Sequence, residues 1–337
     1  MQADFRNWRL SDSLMPTALQ ARRPADATRP LWLFASLWSL RQYPNRAREW
    51  SWEKKFQVIR TAGFDGVFSP PLPVLSERGD LRYLAVTSLD APTKVEPVLS
   101  AAKKLGAEGI DLLLGNYKTT PDAAVTLAVR IRDVARALAL PFAIETHRGT
   151  ITETPETTLA LCEGYHNMTG EMLPLCLDHS HFAIVRHLAP PFWDRLREPP
   201  SLLRAAMQLH LRPFNGHHCQ IPVLTSAGRR TPEYRAWLDY AKLLLAHMRA
   251  QSSPDPVLVV PEIGHAAPEY RLSCFPDTWR DVIALTSDLR RLWSSEVTPL
   301  NVRHAITPPA DVIGATPLRG GATAARTAKI KTRTTEN

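Results

Sequence analysis

Short apolar runs recur along the chain, each followed by a polar turn and then by a stretch whose apolar residues fall three or four apart. Leu31-Trp32-Leu33-Phe34-Ala35 opens the series. Helical spacing over 52–62 follows and stops at Gly63, a residue that accepts the left-handed backbone of a helix end. Gly66-Val67-Phe68 is next and ends at Pro70-Pro71. Tyr83-Leu84-Ala85-Val86 is followed by a predicted helix over 95–105, and the run 110–114 by a helix over 121–138 that starts on a proline. Phe142-Ala143-Ile144 precedes a helix over 155–165, and 172–177 precedes a less regular helical stretch. The run 207–211 leads into a longer loop and a helix over 232–248, and 257–260 leads into a last helix over 277–293.

Strands that alternate with helices imply a parallel sheet with right-handed crossovers. Eight such units in about 265 residues fit a closed barrel better than an open doubly wound sheet. No Gly-x-Gly-x-x-Gly follows any of the strands, which argues against a dinucleotide-binding domain. The expected fold class is α/β: a single (β/α)8 TIM barrel over residues 31–293. It is expected to carry flexible extensions over 1–30 and 294–337, the second disordered from about residue 315, where large apolar residues become scarce.

Composition narrows the class without changing the fold. Hydrophobic residues make up 44% of the 337 and charged residues 22%, which excludes a disordered or fibrous chain. The net charge is +8, but residues 1–30 carry +2 and residues 315–337 carry +4, so the remainder is close to balanced. The barrel therefore lacks the electrostatic footprint of nucleic-acid binding. The longest apolar runs fall far short of the roughly 20 residues of a membrane helix, so no membrane partner is expected. The first thirty residues have no charged-then-apolar-then-small leader pattern, which predicts a cytoplasmic protein. Cys162, Cys176, Cys219 and Cys274 form no Cys-x-x-Cys pair and are expected to be free packing thiols.

Four strands end in residues of metal-ligand type. Glu145 follows Phe142-Ala143-Ile144, Asp178 follows Leu175-Cys176-Leu177, His210 follows Met207-Gln208-Leu209, and Glu262 follows Val259-Val260-Pro261. A charged residue after an apolar strand is ordinarily a helix cap or a loop residue. Here the gaps of 33, 32 and 52 residues each match one strand–helix unit, the last lengthened by a loop. All four would share the C-terminal rim of consecutive strands, where active sites of this fold sit. Three carboxylates and one imidazole suit one divalent cation, Mn²⁺, Mg²⁺ or Co²⁺, with Zn²⁺ also compatible.

Glu145-Thr146-His147, Leu177-Asp178-His179-Ser180-His181, Gln208-Leu209-His210-Leu211 and Pro261-Glu262-Ile263 together resemble the xylose isomerase-like TIM barrels. The stretch 50–63 running into Phe64-Asp65-Gly66-Val67 is similar to the first helix-to-strand turn of that superfamily. The resemblance covers roughly residues 31–293. It implies that Glu145, Asp178, His210 and Glu262 are metal ligands and that Glu145 and Glu262 also serve as acid and base. It places His181 against substrate oxygens. Arg212, two residues past His210 on an extended strand, points the same way and is a candidate for a substrate hydroxyl, carboxylate or phosphate. His147 and Arg148 are candidate substrate contacts on position alone.

The implied activity is a metal-dependent isomerase or epimerase of a small sugar or related polyhydroxy carbonyl compound. A metal-stabilised enediolate, with the two glutamates moving the proton, is its expected chemistry. A dehydratase or lyase would use the same proton abstraction, and a barrel that binds a small molecule without turnover is the reading from another class. The superfamily's multi-zinc apurinic-site endonucleases need histidines on early strands. All eleven histidines here lie at 147 or later, and Phe68-Ser69 and Leu114-Gly115-Asn116 stand where those ligands are expected. DNA repair is therefore disfavoured. His217-His218 reads as polar loop as readily as substrate contact. His166, His187, His247 and His304 read as structural or exposed, and Trp32, Phe34, Trp38, Phe68 and Phe214 as core before sugar-ring wall. The long loop 212–230 and the helical faces leave room for a homo-oligomer.

Because residues 315–337 have almost no apolar surface to bury, their removal should leave thermal stability nearly unchanged. A drop of several degrees in a thermal-melt measurement would show that the segment docks on the barrel.

Overall fold

The computed structural model describes residues 29–295 except 252, 254, 265–269, 271–273 and 276. Of the two expected extensions, residues 1–28 and 296–337, with His304, lie outside the described residues, whereas Arg29 is buried and donates to the Asp255 and Met248 carbonyls, so the ordered chain begins before residue 31. In chain order the elements are β1 (Leu31–Ser36), α1 (Trp52–Thr61), β2 (Gly66–Ser69), β3 (Arg82–Leu89), α2 (Val95–Lys104), β4 (Gly109–Leu114), α3 (Pro121–Ala137) and β5 (Phe142–Glu145). There follow α4 (Pro155–Thr169), β6 (Leu175–Leu177), α5 (His179–Val185), α6 (Trp193–Leu196), α7 (Pro200–Arg204), β7 (Ala206–His210), α8 (Pro232–Ala250), β8 (Val257–Val260) and α9 (Thr278–Ser294). Each strand pairs in parallel with the next, and β8 pairs with β1, so the sheet closes into an eight-stranded barrel. The TIM-barrel expectation holds.

Local chemistry explains the punctuation. Ser51, Thr120, Thr154, Thr231 and Asp277 each accept a backbone N–H at the start of their helices, caps worth about 1 kcal/mol apiece. α4 runs past the expected 165 to Thr169 and stops at Gly170, whose φ of 72° needs a residue without a Cβ. β6 is shorter than the expected 172–177. Its ladder begins only after Pro174, which has no N–H to give. β3 is longer than the expected 83–86, because Thr87, Ser88 and Leu89 continue to pair with β4. The irregular helical stretch after β6 is three short helices, α5 to α7, separated by segments containing Pro190-Pro191 and Pro199.

The interior of the barrel is divided. Phe34, Phe68, Leu84 and Val260, from β1, β2, β3 and β8, form one buried apolar cluster. Asp111, Cys176, Gln208 and His210, from β4, β6 and β7, are buried polar or titratable residues. Between the sheet and the helices lies a much larger apolar layer, with Trp237, Tyr234 and Tyr165 among its fully buried side chains. Free thiols are found at all four cysteines, but they are not uniformly core: Cys274 is exposed and Cys219 half-buried. Among the described residues no helix is long and apolar enough to cross a membrane.

Gly66 lies where β2, β3 and the Phe34 ring pack closely in the apolar half of the barrel. A Cβ there would lie 2.6 Å from the Arg82 carbonyl oxygen and 2.7 Å from the Phe34 ring. Neither the backbone of β3 nor a ring locked in the interior can move aside cheaply. Gly66→Ala should therefore destabilise the chain by about 1–3 kcal/mol, as overpacked cores do. Thermal denaturation would show this as a melting temperature lower by several degrees, and a native value would mean that β2 and β3 separate more easily than this packing allows.

Candidate metal centre at the mouth of the barrel

The ends of β5 to β8 bring the expected residues together. Glu145 is the last residue of β5, and its backbone carbonyl accepts the Thr152 hydroxyl of the following loop. Asp178 follows β6 and caps α5, accepting the Ser180 N–H at Oδ1 at 2.9 Å. The Asp178 N–H in turn donates to the Thr146 hydroxyl at 2.8 Å, which ties the two strand ends together. His210 ends β7, and Arg212 and Glu262 lie just beyond β7 and β8. All of these side chains are buried.

Glu145, Asp178 and His210 each offer a ligand atom, and the three atoms lie within 4.8 Å of one another. Nδ1 of His210 is 3.1 Å from Oε1 of Glu145 and 3.5 Å from Oε2 of Glu262. These separations are in ion-pair range, yet neither ring nitrogen of His210 makes a hydrogen bond, and Oδ2 of Asp178 makes none either. Buried polar atoms whose hydrogen-bonding capacity is unmet are costly, and a cation is one group that would satisfy several at once. The donor set of carboxylates and one imidazole fits a hard divalent ion.

Arg212 faces two of the expected ligands. Its guanidinium is buried and ion-pairs with Asp178 at 3.1 Å and with Glu262 at closer range. It therefore balances two of the expected ligands through Nη2, while its Nε and Nη1 make no hydrogen bond. His181 also turns to Asp178, with Nε2 3.4 Å from Oδ2, and its ring lies 4.5 Å from that of His147. Arg148 is exposed at the rim and stacks on Tyr270 at 4.7 Å. Arg212 packs under the same ring at 5.0 Å, and Trp38 meets Tyr270 edge-on. Of the other aromatics, Phe34 and Phe68 are core, and Phe214 packs outside the barrel against Phe192, Trp237 and Tyr240. His217 and His218 are exposed loop residues.

Burial and neighbouring charge set the protonation of this cluster in opposite directions. Burial, reinforced by Asp111 and opposed by His210, pushes the Glu145 carboxyl up to about 7. Burial acts on Glu262 in the same sense, but Arg212 and His210 outweigh it and hold Glu262 well below the usual carboxylate range. Asp178 also ends below its ordinary value, because Arg212 and the nearby histidines overcome its burial. Burial drives His181 down to about 3, so it is a neutral imidazole. Burial opposes charge on His210, yet Cys176, Glu145 and Asp111 push it well above the ordinary imidazole value.

Three members of the site were missed in the sequence. Asp111 lies in the middle of β4, completely buried, with Oδ2 3.3 Å from Nε2 of His210. A lone carboxylate inside the run Gly109-Ile110-Asp111-Leu112-Leu113-Leu114 was the available signal. Cys176 lies beside the same imidazole, within 4.8 Å of Asp111 and His210, so it is a neighbour of the site and not simply packing. Tyr270 comes from a loop with no periodicity to mark it. Gln220 seats that loop, accepting the Gly264 N–H at 2.6 Å and donating to the Gly264 and Tyr270 carbonyls.

No protein-family model matches the chain, and no curated protein matches it. Solved structures do. One is a D-tagatose 3-epimerase-like protein, 12% identical, covering 78% of this chain and 97% of that one with a TM-score of 0.51. Others are a xylose isomerase-like TIM barrel protein from Mycobacterium smegmatis in complex with magnesium (12% identity, 79% and 98% covered, TM-score 0.49) and the probable 3-DHS dehydratase AsbF of Bacillus anthracis (15%, 78% and 98%, 0.49). At these identities the likeness is one of fold, and the chain shares the TIM-barrel fold of these proteins.

Proposed function

We propose that the chain is a divalent-metal-dependent isomerase or epimerase of a small sugar or related polyhydroxy carbonyl compound. The observation that carries this reading is the buried convergence of Glu145, Asp178 and His210 at the strand ends, with Glu262 closing the fourth side. The epimerase-like protein of the same fold is consistent with it. Glu145, Asp178, His210 and Glu262 would hold one cation, Mn²⁺, Mg²⁺ or Co²⁺ before Zn²⁺. Such an ion supplies Lewis acidity toward a carbonyl and its neighbouring hydroxyl.

The chain's own residues supply the rest. Glu145 and Glu262 sit in environments that push their proton affinities apart, the usual arrangement of an acid–base pair. One removes the proton on the carbon next to the carbonyl, and the same or the other returns it. Return to the neighbouring carbon is isomerisation, and return to the opposite face is epimerisation. His181 and His147, whose rings adjoin, would contact substrate oxygens, and Arg148 with Tyr270 and Trp38 would wall the entrance. Arg212 keeps Asp178 and Glu262 ionised and fixed in place.

Glu145→Gln and Glu262→Gln test the pair. Removing a general acid–base group typically costs about 10²- to 10⁴-fold in rate. Neither variant should recover full activity on a panel of ketoses and sugar acids at saturating Mn²⁺. One of them, still metal-loaded, should stop exchanging the substrate's alpha proton with D₂O. Native exchange by both would rule out the two-glutamate mechanism, and release of a dehydrated product would identify a lyase. Elemental analysis should find one divalent ion per chain, whereas two or three zinc ions would favour the endonuclease branch.

A second prediction concerns Arg212. Arg212→Gln leaves the buried Asp178 and Glu262 without their guanidinium, and breaking a buried pair on one side typically costs about 3–5 kcal/mol. Thermal melts in a chelator should show this loss, and Mn²⁺ should raise the variant's melting temperature more than the native chain's. Equal melting temperatures in chelator would show that solvent, not Arg212, balances these carboxylates.

A further inference from the structure

Asp111 has no part in the scheme above, yet its position is unusual. It sits at the centre of β4, paired between Val86 of β3 and Ala143 of β5, in a strand of otherwise apolar residues and glycine. The residue is completely buried, and neither carboxylate oxygen makes a hydrogen bond. Its nearest charged partner is His210, with Oδ2 3.3 Å from Nε2. On the far side of the same ring, Nδ1 faces Glu145 and Glu262. The Phe68 ring stands edge-on to the imidazole at 4.9 Å and restricts its tilt.

We infer that Asp111 is a positioning residue: it accepts the Nε2–H of His210 and so presents the Nδ1 lone pair to the mouth of the barrel. The inference rests on the proposed metal site. A neutral imidazole has one N–H and one lone pair, and the group that accepts the N–H decides which nitrogen is free to ligate. With a cation on Nδ1, the proton must be on Nε2, buried, and in need of an acceptor. A thiol is a poor acceptor, and an ionised carboxylate is a strong one. At a separation of 3.3 Å, a small turn of the ring or the carboxylate that straightens the N–H···O line completes the bond.

Asp111, Cys176 and His210 also group closely enough to suggest a second, deeper ion. That ion would need the Nε2 lone pair while Nδ1 ligates the first, so the imidazole would have to lose both protons. A carboxylate that accepts one proton needs no such step. Burying the Asp111 carboxylate costs folding energy that its pairing with His210 offsets only in part, and an imidazole left alone can shed its charge with a proton, so a residue kept for the site should show opposite effects on stability and on metal affinity.

Three chains would be compared: native, Asp111→Asn and Asp111→Leu. Calorimetric titration with Mn²⁺ should show Asp111→Leu binding 10- to 100-fold more weakly, the usual cost of losing the group behind a ligating histidine. Asp111→Asn keeps an acceptor oxygen and should retain most of the affinity. The melting temperature of Asp111→Leu in chelator should equal or exceed the native value, which a merely structural role would not produce. In ¹⁵N-histidine spectra the native chain should show a protected His210 Nε2–H that loses its protection in Asp111→Leu. This signal is read in the metal-free chain too, so absence of Mn²⁺ binding by the native protein would overturn the metal reading and still leave Asp111 tested. Native Mn²⁺ affinity in Asp111→Leu, an Nδ1–H tautomer in the loaded native chain, or a second bound ion lost on substitution would each overturn the inference.

Discussion

Four carboxylates, Asp111, Glu145, Asp178 and Glu262, are buried within reach of one imidazole and one guanidinium, and the site is organised around that excess of negative charge. Even with His210 charged, the two cations balance only half of it. Like charges held away from water repel strongly, so the cluster must bind protons, admit a cation, or both. Its members divide that burden. Glu145 sits near neutrality in its proton affinity, while Arg212 keeps Asp178 and Glu262 anionic. The proposed divalent ion is the group that would relieve the remainder.

The barrel makes this concentration tolerable by keeping its two interior halves distinct. β8, β1, β2 and β3 fill their side with Phe34, Phe68, Leu84 and Val260. β4 to β7 face that cluster with polar groups, and Phe68 meets His210 at the boundary. The apolar half keeps water away from the polar half, which strengthens each ion pair and raises the cost of leaving any member unpaired. The mouth is knitted from outside by polar side chains on neighbouring units. Gln220 joins the loops after β7 and β8, and Asp281 of α9 accepts the N–H groups of Val223 and Leu224.

Arg212 and Asp111 show how function and stability divide within one cluster. Arg212 is attached to two carboxylates and holds them in place, so its loss exposes an imbalance of charge. Asp111 has no hydrogen bond and stands against the ring that ligation would use. One is expected to stabilise the metal-free chain, whereas the other is a cost that the proposed orientation of the histidine would explain.

The chain's own pattern determined the eight strands, most of the helices and four convergent strand-end residues, because each rests on local periodicity or on spacing by one strand–helix unit. Glu145, Asp178, His210 and Glu262 were legible since an acidic or imidazole side chain after an apolar run is a local signal, repeated at barrel intervals. The length of β6, the breaking of the stretch after it into three helices and the reach of β3 depended on partners across the sheet. Asp111 carried a signal, a charge inside an apolar strand, but its meaning requires knowing that β4 faces β7 across a closed interior. Only the fold decided that Arg212 would spend its charge on Asp178 and Glu262. Direction along a strand can be read from alternation, but the partner a side chain meets is fixed by how the barrel closes, and closure brings together residues 34 and 50 positions apart along the chain.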